Sequence, residues 1–287
     1  MSTRDAVRTM DFRRLLLVTA ITTAITALIG VITATAGAGL TCEARWPLCD
    51  GAVFGLFPAN FMSFIEWFHR LVAMITGFLI IGSTIAAWRG SADRRIRFAT
   101  LAALLLTPLQ VVFGAFTVLV HEFVFGYSVL VLTLHFGLAA LILGLLVAAT
   151  VWAYADVSSV STAAIQRAGI LVLLGFPIVA ALTPRLFFSF GEVVQFIYYG
   201  LGFAMFSALV VVALWGRELG FRAVSSLGAL AAVLTIAQLI VARQAFGDSG
   251  QLLVLGLSVA VFALTLVAVW RVRAHGSEPT RSALASD

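Results

Sequence analysis

The chain has 287 residues, of which 62% are hydrophobic and only 11% are charged, and its formal net charge is +5. Soluble domains carry roughly 25% charged residues, so this composition indicates an integral membrane protein. A buried soluble helical bundle is the alternative, but the long apolar runs without a charged face argue against it. The basic residues are all arginine and sort by membrane side, so lipid is the expected surroundings and no nucleic-acid partner is expected.

Eight segments are long and apolar enough to cross a bilayer, for which about 20 residues are needed. In chain order they are 14–36, 62–88, 98–120, 128–154, 168–184, 192–215, 223–242 and 251–270. The first apolar run exceeds the roughly 7–15-residue core of a signal peptide, so we interpret it as a span. The sequence therefore predicts an all-α integral membrane protein with eight transmembrane helices.

The distribution of arginine predicts the orientation of these spans. With the N-terminus inside, the inner segments hold fourteen arginines, and the outer loops hold only Arg45, Arg185 and Arg243. Because positive loops stay on the cytoplasmic side, we expect a multi-pass protein of the cell membrane with both termini in the cytoplasm.

The two halves of the chain resemble each other. Segment 63–69 aligns with 189–195, and 106–110 aligns with 234–238, so Gln110 corresponds to Gln238. Four spans per half predict a same-orientation duplication and hence two tandem four-helix bundles. The predicted domains are an N-terminal half 1–155, a C-terminal half 167–273 and a cytoplasmic tail 274–287, with a linker rich in Ser, Thr and Ala between the halves.

Two cysteines, Cys42 and Cys49, lie in the first outer loop. Disulfides persist on the outer side of a cell membrane. Two interpretations stay open at this point. The pair is either a structural staple that shapes the loop or a redox dithiol that exchanges with an outside donor. A zinc site lacks enough nearby ligands.

The second predicted span holds Glu66, His69 and Arg70. Glu66 and His69 are three residues apart and therefore share one helix face. Ionisable groups inside a bilayer are costly and usually mark a functional site. Arg70 lies four residues from Glu66, so an internal ion pair is one interpretation of the carboxylate. A group that takes or gives a proton during a reaction is the other.

His69 and His135 each lie about seven residues into an inward-running span, which is roughly 10 Å below the outer surface at the helical rise. Two imidazoles at one depth in a four-helix bundle suit axial ligation of one haem iron. The alternative is two core histidines, each hydrogen-bonded to a neighbour. We interpret His121, beside Glu122, as an interfacial residue and His275 as a solvated residue of the tail.

These motifs together resemble the haem A synthase family of membrane enzymes. The matching pattern runs from Gly37–Leu40 and the cysteine loop into Glu66-x-x-His69-Arg70. It continues over Pro108–Leu119 and His135–Ala139, so that it covers roughly residues 14–150. The resemblance implies an eight-span oxidoreductase that converts a methyl group of haem O to the formyl group of haem A for terminal oxidase assembly.

The resemblance also implies roles for individual residues. His69 and His135 would ligate the iron of the substrate haem, and Glu66 would be the catalytic carboxylate. Cys42 and Cys49 would form a disulfide. Arg70 would contact a haem propionate or pair with Glu66. Haem O synthase is the expected partner, because its product is the substrate.

The second half departs from the family pattern, in which two further histidines bind a haem b cofactor. Gln195 stands where His69 would repeat, and segment 255–257 lacks the histidine of 134–136. No histidine lies between His135 and His275. The second haem b site is therefore predicted to be absent. Glu192 and Arg243 are interpreted as helix-end residues near the outer surface.

A non-catalytic b-type haem protein of the membrane, either an electron carrier or a haem chaperone, is the alternative function. The missing second haem site favours it. Glu66 beside His69 favours the enzyme, because a plain bis-histidine cytochrome needs no carboxylate there. A transporter could use the same intramembrane polar residues, and purification without bound haem would favour that third class.

Overall fold

The computed structural model describes residues 3–42, 45, 48–49, 52–53, 57–58, 60–90, 92–123, 129–155, 160–184, 186–244 and 247–276. Within this part of the chain there are eight helices and one short antiparallel ribbon. The helices are α1 (Thr3–Thr35), α2 (Phe61–Arg89), α3 (Arg94–Phe123), α4 (Val129–Tyr154), α5 (Thr162–Ala181), α6 (Glu192–Glu218), α7 (Arg222–Gln244) and α8 (Gly247–Gly276). In the ribbon, β1 (Ala52–Val53) pairs with β2 (Phe57–Pro58), with Ala52 opposite Pro58.

All eight helices are long and apolar enough to cross a membrane, which confirms the predicted all-α, eight-span fold. Several helices extend beyond the predicted spans. For example, α3 begins at Arg94 rather than at 98, and α8 ends at Gly276 rather than at 270. The apolar pattern marks only the hydrocarbon-crossing part, whereas the helices continue into arginine-bearing turns whose side chains can reach the interface. The sequence analysis did not predict the β1–β2 ribbon.

The chain divides into two compact units. The first contains residues 1–153 and 191–196, and the second contains residues 154–190 and 197–287. Helices α1–α4 belong to the first unit, whereas α5, α7, α8 and most of α6 belong to the second. Residues 156–159 of the predicted linker and 277–287 of the predicted tail lie outside the described residues.

Each unit has its own apolar cluster built from all four of its helices. The cluster of the first unit consists of Leu16, Ala87, Ile96, Ala99, Ala149 and Ala153. The cluster of the second unit consists of Ile165, Val212, Val224, Ala268 and Val272. Outward-facing side chains such as Phe78 and Leu105 are exposed and apolar, as helices surrounded by lipid require.

Hydroxyl pairs fix the register of α1 against α2. The hydroxyls of Thr19 and Ser83 lie 2.8 Å apart, and those of Thr26 and Thr76 also lie 2.8 Å apart. Polar side chains that hydrogen-bond across helices are a common means of helix association in membranes. These two pairs therefore hold α1 and α2 together along the length that leads to the outer loop.

A glycine ends α1 and directs the chain into that loop. Gly37 has a φ of 69°, a left-handed conformation that side chains with a Cβ rarely adopt. Its N–H donates to the carbonyl of Ala34 at 3.3 Å, and the N–H of Ala38 donates to the carbonyl of Thr33 at 2.9 Å. These two bonds form a Schellman cap. The cap turns the backbone so that Thr41 and Cys42 approach the start of α2.

Candidate functional site

The carboxylate of Glu66 is buried and fully engaged by the outer loop. Glu66 is 3% exposed. The backbone N–H of Cys42 donates to its Oε2 at 2.7 Å, and the hydroxyl of Thr41 donates to the same oxygen at 3.0 Å. Two donors thus converge on one oxygen of the carboxylate. Glu66 therefore anchors the cysteine loop to α2.

Arg70 forms the ion pair that its spacing from Glu66 allowed. Its Nη2 donates to Oε1 of Glu66 one turn away on α2. Its Nη1 donates to the backbone carbonyl of Arg45 at 2.9 Å. Arg70 thus joins the same loop to the same helix through a second contact, and it balances the buried negative charge of Glu66.

The structure joins Cys42 and Cys49 in a disulfide, across a sequence separation of seven residues. Both cysteines are buried and pack with Trp67 and Leu71 of α2. The sulfur of Cys42 also lies 3.4 Å from the carbonyl oxygen of Ser63. The disulfide is therefore seated on the same turns of α2 that carry Glu66 and Arg70, and it is not exposed on the loop surface.

His69 lies one turn further along α2, against a glycine of α1. A methyl carbon placed on Gly30 would lie 2.9 Å from Cε1 of the imidazole and 3.3 Å from its Nε2. The ring therefore rests almost directly on the helix backbone. Within the described part of the chain, the buried Nδ1 of His69 has no hydrogen-bond partner. A buried nitrogen without a hydrogen-bond partner lowers the stability of the folded protein unless a bound group supplies the missing partner.

His135 of α4 has the same arrangement with α3. A methyl carbon placed on Gly114 would lie 3.2 Å from Cε1 of its imidazole. The amide nitrogen of Gln110, one turn from Gly114, lies 3.4 Å from Nε2 of His135. The tautomer of the imidazole decides which of the two groups donates. His135 is thus held between two residues of α3.

In the described part of the chain, no group of three or more His, Cys, Asp and Glu side chains could hold a bare metal ion. Two neutral imidazoles fit a haem iron better, because the porphyrin supplies its other ligands. The unpartnered nitrogen of His69 and the glycine-seated rings fit such a group.

The structure brings the sequence-predicted residues together in two layers. The outer layer joins the cysteine loop to α2 and consists of Cys42, Cys49, Glu66 and Arg70. We group His69, one turn further along α2, with His135 of α4 as the second layer, because each ring lies against a glycine of a neighbouring helix. The side chains of His121, Glu122 and His275 lie outside the described residues. Glu192 is exposed and is the first residue of α6, whereas Arg243 lies in the last turn of α7, as helix-end residues should.

Sequence reasoning missed four residues of this site. Gly30, Thr41, Gln110 and Gly114 contact the proposed ligands or the carboxylate but received no role. Thr41 could have been noticed, since a hydroxyl directly before a cysteine is a ready donor to a buried acid. Glycines in helix interiors are also a signal, because they lower helix propensity and often mark close packing.

The corresponding region of the second unit is filled by protein side chains. Gln238, the counterpart of Gln110, donates from its amide to the hydroxyl of Tyr198 at 3.1 Å. Tyr199 donates to the carbonyl of Leu239 at 3.0 Å, and both tyrosines are 0% exposed. A methyl carbon on Gly202 would lie 2.5 Å from Cδ2 of Leu239. Gln195, at the position that aligns with His69, belongs to the first unit and accepts a hydrogen bond from Thr35 at 3.0 Å.

Comparison with known proteins gives a family match over residues 13–186, to the family described as cytochrome oxidase assembly protein (COX15-CtaA). The matched stretch includes α2, α3 and α4 and therefore all the residues of the two layers. It covers more than half of the chain.

Individual relatives match over shorter stretches. Heme A synthase of Alkalihalophilus pseudofirmus is 36% identical over 140 residues, which is 48% of this chain and 45% of that protein. Heme A synthase of Shouchella clausii is 34% identical over 145 residues, or 50% of this chain and 46% of that protein. A protoheme IX farnesyltransferase of Halobacterium salinarum is 40% identical over 89 residues, which is 31% of this chain and 20% of that protein. The chain thus matches less than half the length of each of these relatives.

Proposed function

The chain belongs to the cytochrome oxidase assembly protein family, and we propose that its first unit is a haem A synthase. In this proposal the enzyme oxidises a methyl group of haem O to the formyl group of haem A. The observation that carries it is the pair of imidazoles from α2 and α4. Each is seated on a glycine of the neighbouring helix, and a buried carboxylate lies one turn from one of them.

His69 and His135 would ligate the haem iron from the two sides. The unpartnered Nδ1 of His69 supports this assignment, because a histidine that only stabilised the core would be expected to use its buried polar atoms. Nε2 of His135, which lies 3.4 Å from the amide nitrogen of Gln110, is the atom that would ligate the iron from α4. Haem O would supply the methyl group to be oxidised and, at its iron, a redox centre.

Glu66 would accept a proton released during the oxidation. Its position supports this role, since it shares a helix face with His69 and lies one turn from it. In the structure three donors, from Thr41, Cys42 and Arg70, hold the carboxylate in a fixed position. A positioned carboxylate can serve as a general base.

Arg70 is better suited to charge balance than to binding a haem propionate. Its two terminal nitrogens already donate to Glu66 and to the carbonyl of Arg45. A propionate would have to compete with both partners. We therefore assign Arg70 to the ion pair and, through Arg45, to the placement of the loop over the site.

We propose further that the second unit binds no haem. Its one histidine in the sequence is His275, next to the last residue of α8, and the buried side chains of Tyr198 and Gln238 hydrogen-bond to each other. Gly202 of the second unit lies against Leu239 rather than against an imidazole. The cofactor content expected for the whole chain is one haem.

We base the proposed location and partners on the distribution of arginine and on the chemistry of haem O. The arginine-rich segments support a location in the cell membrane with both termini in the cytoplasm. Haem O carries a farnesyl-derived chain, so a haem farnesyltransferase must supply the substrate. The similarity to part of a protoheme IX farnesyltransferase supports haem O synthase as the partner. The product would serve the assembly of a terminal oxidase.

The proposal is tested in cells that make haem O but no haem A. Haems extracted from cells with and without the full chain are separated by chromatography, and His69→Ala serves as the inactive control. We expect haem A only with the unaltered chain. If the membranes hold the chain with low-spin haem but contain haem O alone, the protein is a haem carrier and the proposed activity is wrong.

A further inference from the structure

We propose that Gly30 and Gly114 are positioning residues for the two haem ligands. Each glycine, by lacking a side chain, lets one imidazole approach the backbone of the neighbouring helix. This inference rests on the proposed ligation by His69 and His135. It goes beyond that proposal because it assigns a task to two residues on α1 and α3, which hold no ligand themselves.

The two glycines differ in how closely the imidazole approaches them. A methyl carbon on Gly30 would meet the edge of the His69 ring that contains Cε1 and Nε2, at 2.9 and 3.3 Å. Carbon atoms in contact prefer a separation of 3.5–4.0 Å. The ring would have to move, and Nε2 would move with it. At Gly114 the closest separation is 3.2 Å, from Cε1 of His135, so a smaller displacement would suffice.

Because glycine has a low helix propensity, its presence in the interiors of α1 and α3 needs an explanation. Glycine is unfavourable in a helix interior compared with alanine, so an alanine at either position would favour α1 or α3 as isolated helices. The close approach of an imidazole offsets that preference. An imidazole held against a helix backbone has few ring orientations available, and this restricts the direction in which its nitrogen can meet an iron.

Other glycines of the same unit provide matched controls. Among the described residues, nothing lies within 4 Å of a methyl carbon placed on Gly77 or Gly82 of α2, or on Gly137 of α4. Alanine at these positions changes helix propensity in the same direction but displaces no imidazole. The controls therefore separate a general helix effect from an effect on ligand geometry.

The experiment compares Gly30→Ala and Gly114→Ala with Gly77→Ala and Gly137→Ala in the full chain. Each purified protein is titrated with haem O and with protohaem. Optical and electron paramagnetic resonance spectra report the spin state, and a redox titration reports the midpoint potential. We expect the controls to retain the low-spin spectrum. Gly30→Ala should lose most of the low-spin signal, and Gly114→Ala should lose a smaller part and show a shifted potential.

Two outcomes separate this inference from the proposed function. If His69→Ala and His135→Ala abolish the low-spin spectrum while both glycine variants match the controls, the positioning role is wrong and the ligation stands. If the histidine variants keep the unaltered spectrum, the ligation itself is wrong. Should Gly30→Ala not be recovered as folded protein, Gly114→Ala decides, and its equality with Gly137→Ala would overturn the inference.

Discussion

In the first unit two helix glycines lie against imidazoles, whereas in the second unit three helix glycines lie against apolar side chains. Gly30 faces the ring of His69. Gly175 instead faces the side chain of Met205, with a methyl carbon at 3.0 Å from its Sδ, and Gly202 faces Leu239. Close helix packing is thus common to both units. The two units differ in whether the side chain that packs against the glycine can bind a metal.

The paired glutamines show the same difference in their polar contacts. Gln110 contacts His135, whose nitrogen could instead bind an iron. Its counterpart Gln238 donates to Tyr198, which has no such capacity. A buried polar group must have a partner, and in the second unit the protein supplies that partner by itself. The comparison indicates that a four-helix unit can hold either an imidazole or a tyrosine hydroxyl beside the paired glutamine.

The largest effect that tests this comparison is the loss of haem. His69→Ala and His135→Ala each remove one proposed axial ligand, so we expect both variants to lose the low-spin spectrum completely. Gln195→Ala, at the position that aligns with His69, is the control and should leave the spectrum unchanged. The unaltered chain should bind one haem, measured as haem per protein in a saturated sample. Two haems per chain would contradict the difference between the units.

The next largest effect concerns turnover. Glu66→Gln keeps an oxygen that can accept from Cys42 and Thr41 but removes the negative charge and the proton acceptor. We expect haem binding to persist and haem A formation to stop. Breaking the ion pair with Arg70 should also cost stability, about 1–3 kcal/mol. The measurements are the haem spectrum, chromatography of the extracted haems and thermal unfolding.

Glu192→Gln is the matched control for that variant. Glu192 aligns with Glu66 but is exposed at the start of α6, so its substitution should change neither turnover nor stability. Normal haem A formation by Glu66→Gln would instead leave Glu66 as an anchor of the cysteine loop only. Its three hydrogen-bonded partners show how it would fill that structural role.

Sequence patterns were sufficient for the helices but not for the contacts between them. Eight apolar runs predicted eight helices, because a bilayer demands that length and composition. The spacing of Glu66 and Arg70 allowed the ion pair that the structure shows, since that contact lies within one helix. The seat of His69 on Gly30 joins residues far apart in sequence, so no local pattern could reveal it.

The disulfide gives a smaller effect, on stability first. Replacing both Cys42 and Cys49 by serine opens a short loop, and a closed loop of this size contributes about 2–3 kcal/mol in the chain-entropy view. We expect a lower unfolding temperature with haem content retained. Thiol labelling before and after reduction should show no free thiol at the outset. If turnover falls while folding and haem content hold, the pair takes part in electron transfer.

The smallest effect should come from the second unit, and it should concern stability alone. Tyr198→Phe removes the acceptor of the Gln238 amide and leaves a buried donor unpaired, at a cost of about 1–3 kcal/mol. Tyr199→Phe is the matched control, because Tyr199 is a donor to the backbone carbonyl of Leu239 and its loss leaves no buried N–H unpaired. Thermal unfolding should therefore show a larger decrease for Tyr198→Phe than for Tyr199→Phe. The haem spectrum and its midpoint potential should stay unchanged in both variants, since neither tyrosine belongs to the unit that holds His69 and His135. A changed spectrum in Tyr198→Phe would mean that a haem lies near Gln238, and the division of labour between the units would then be wrong.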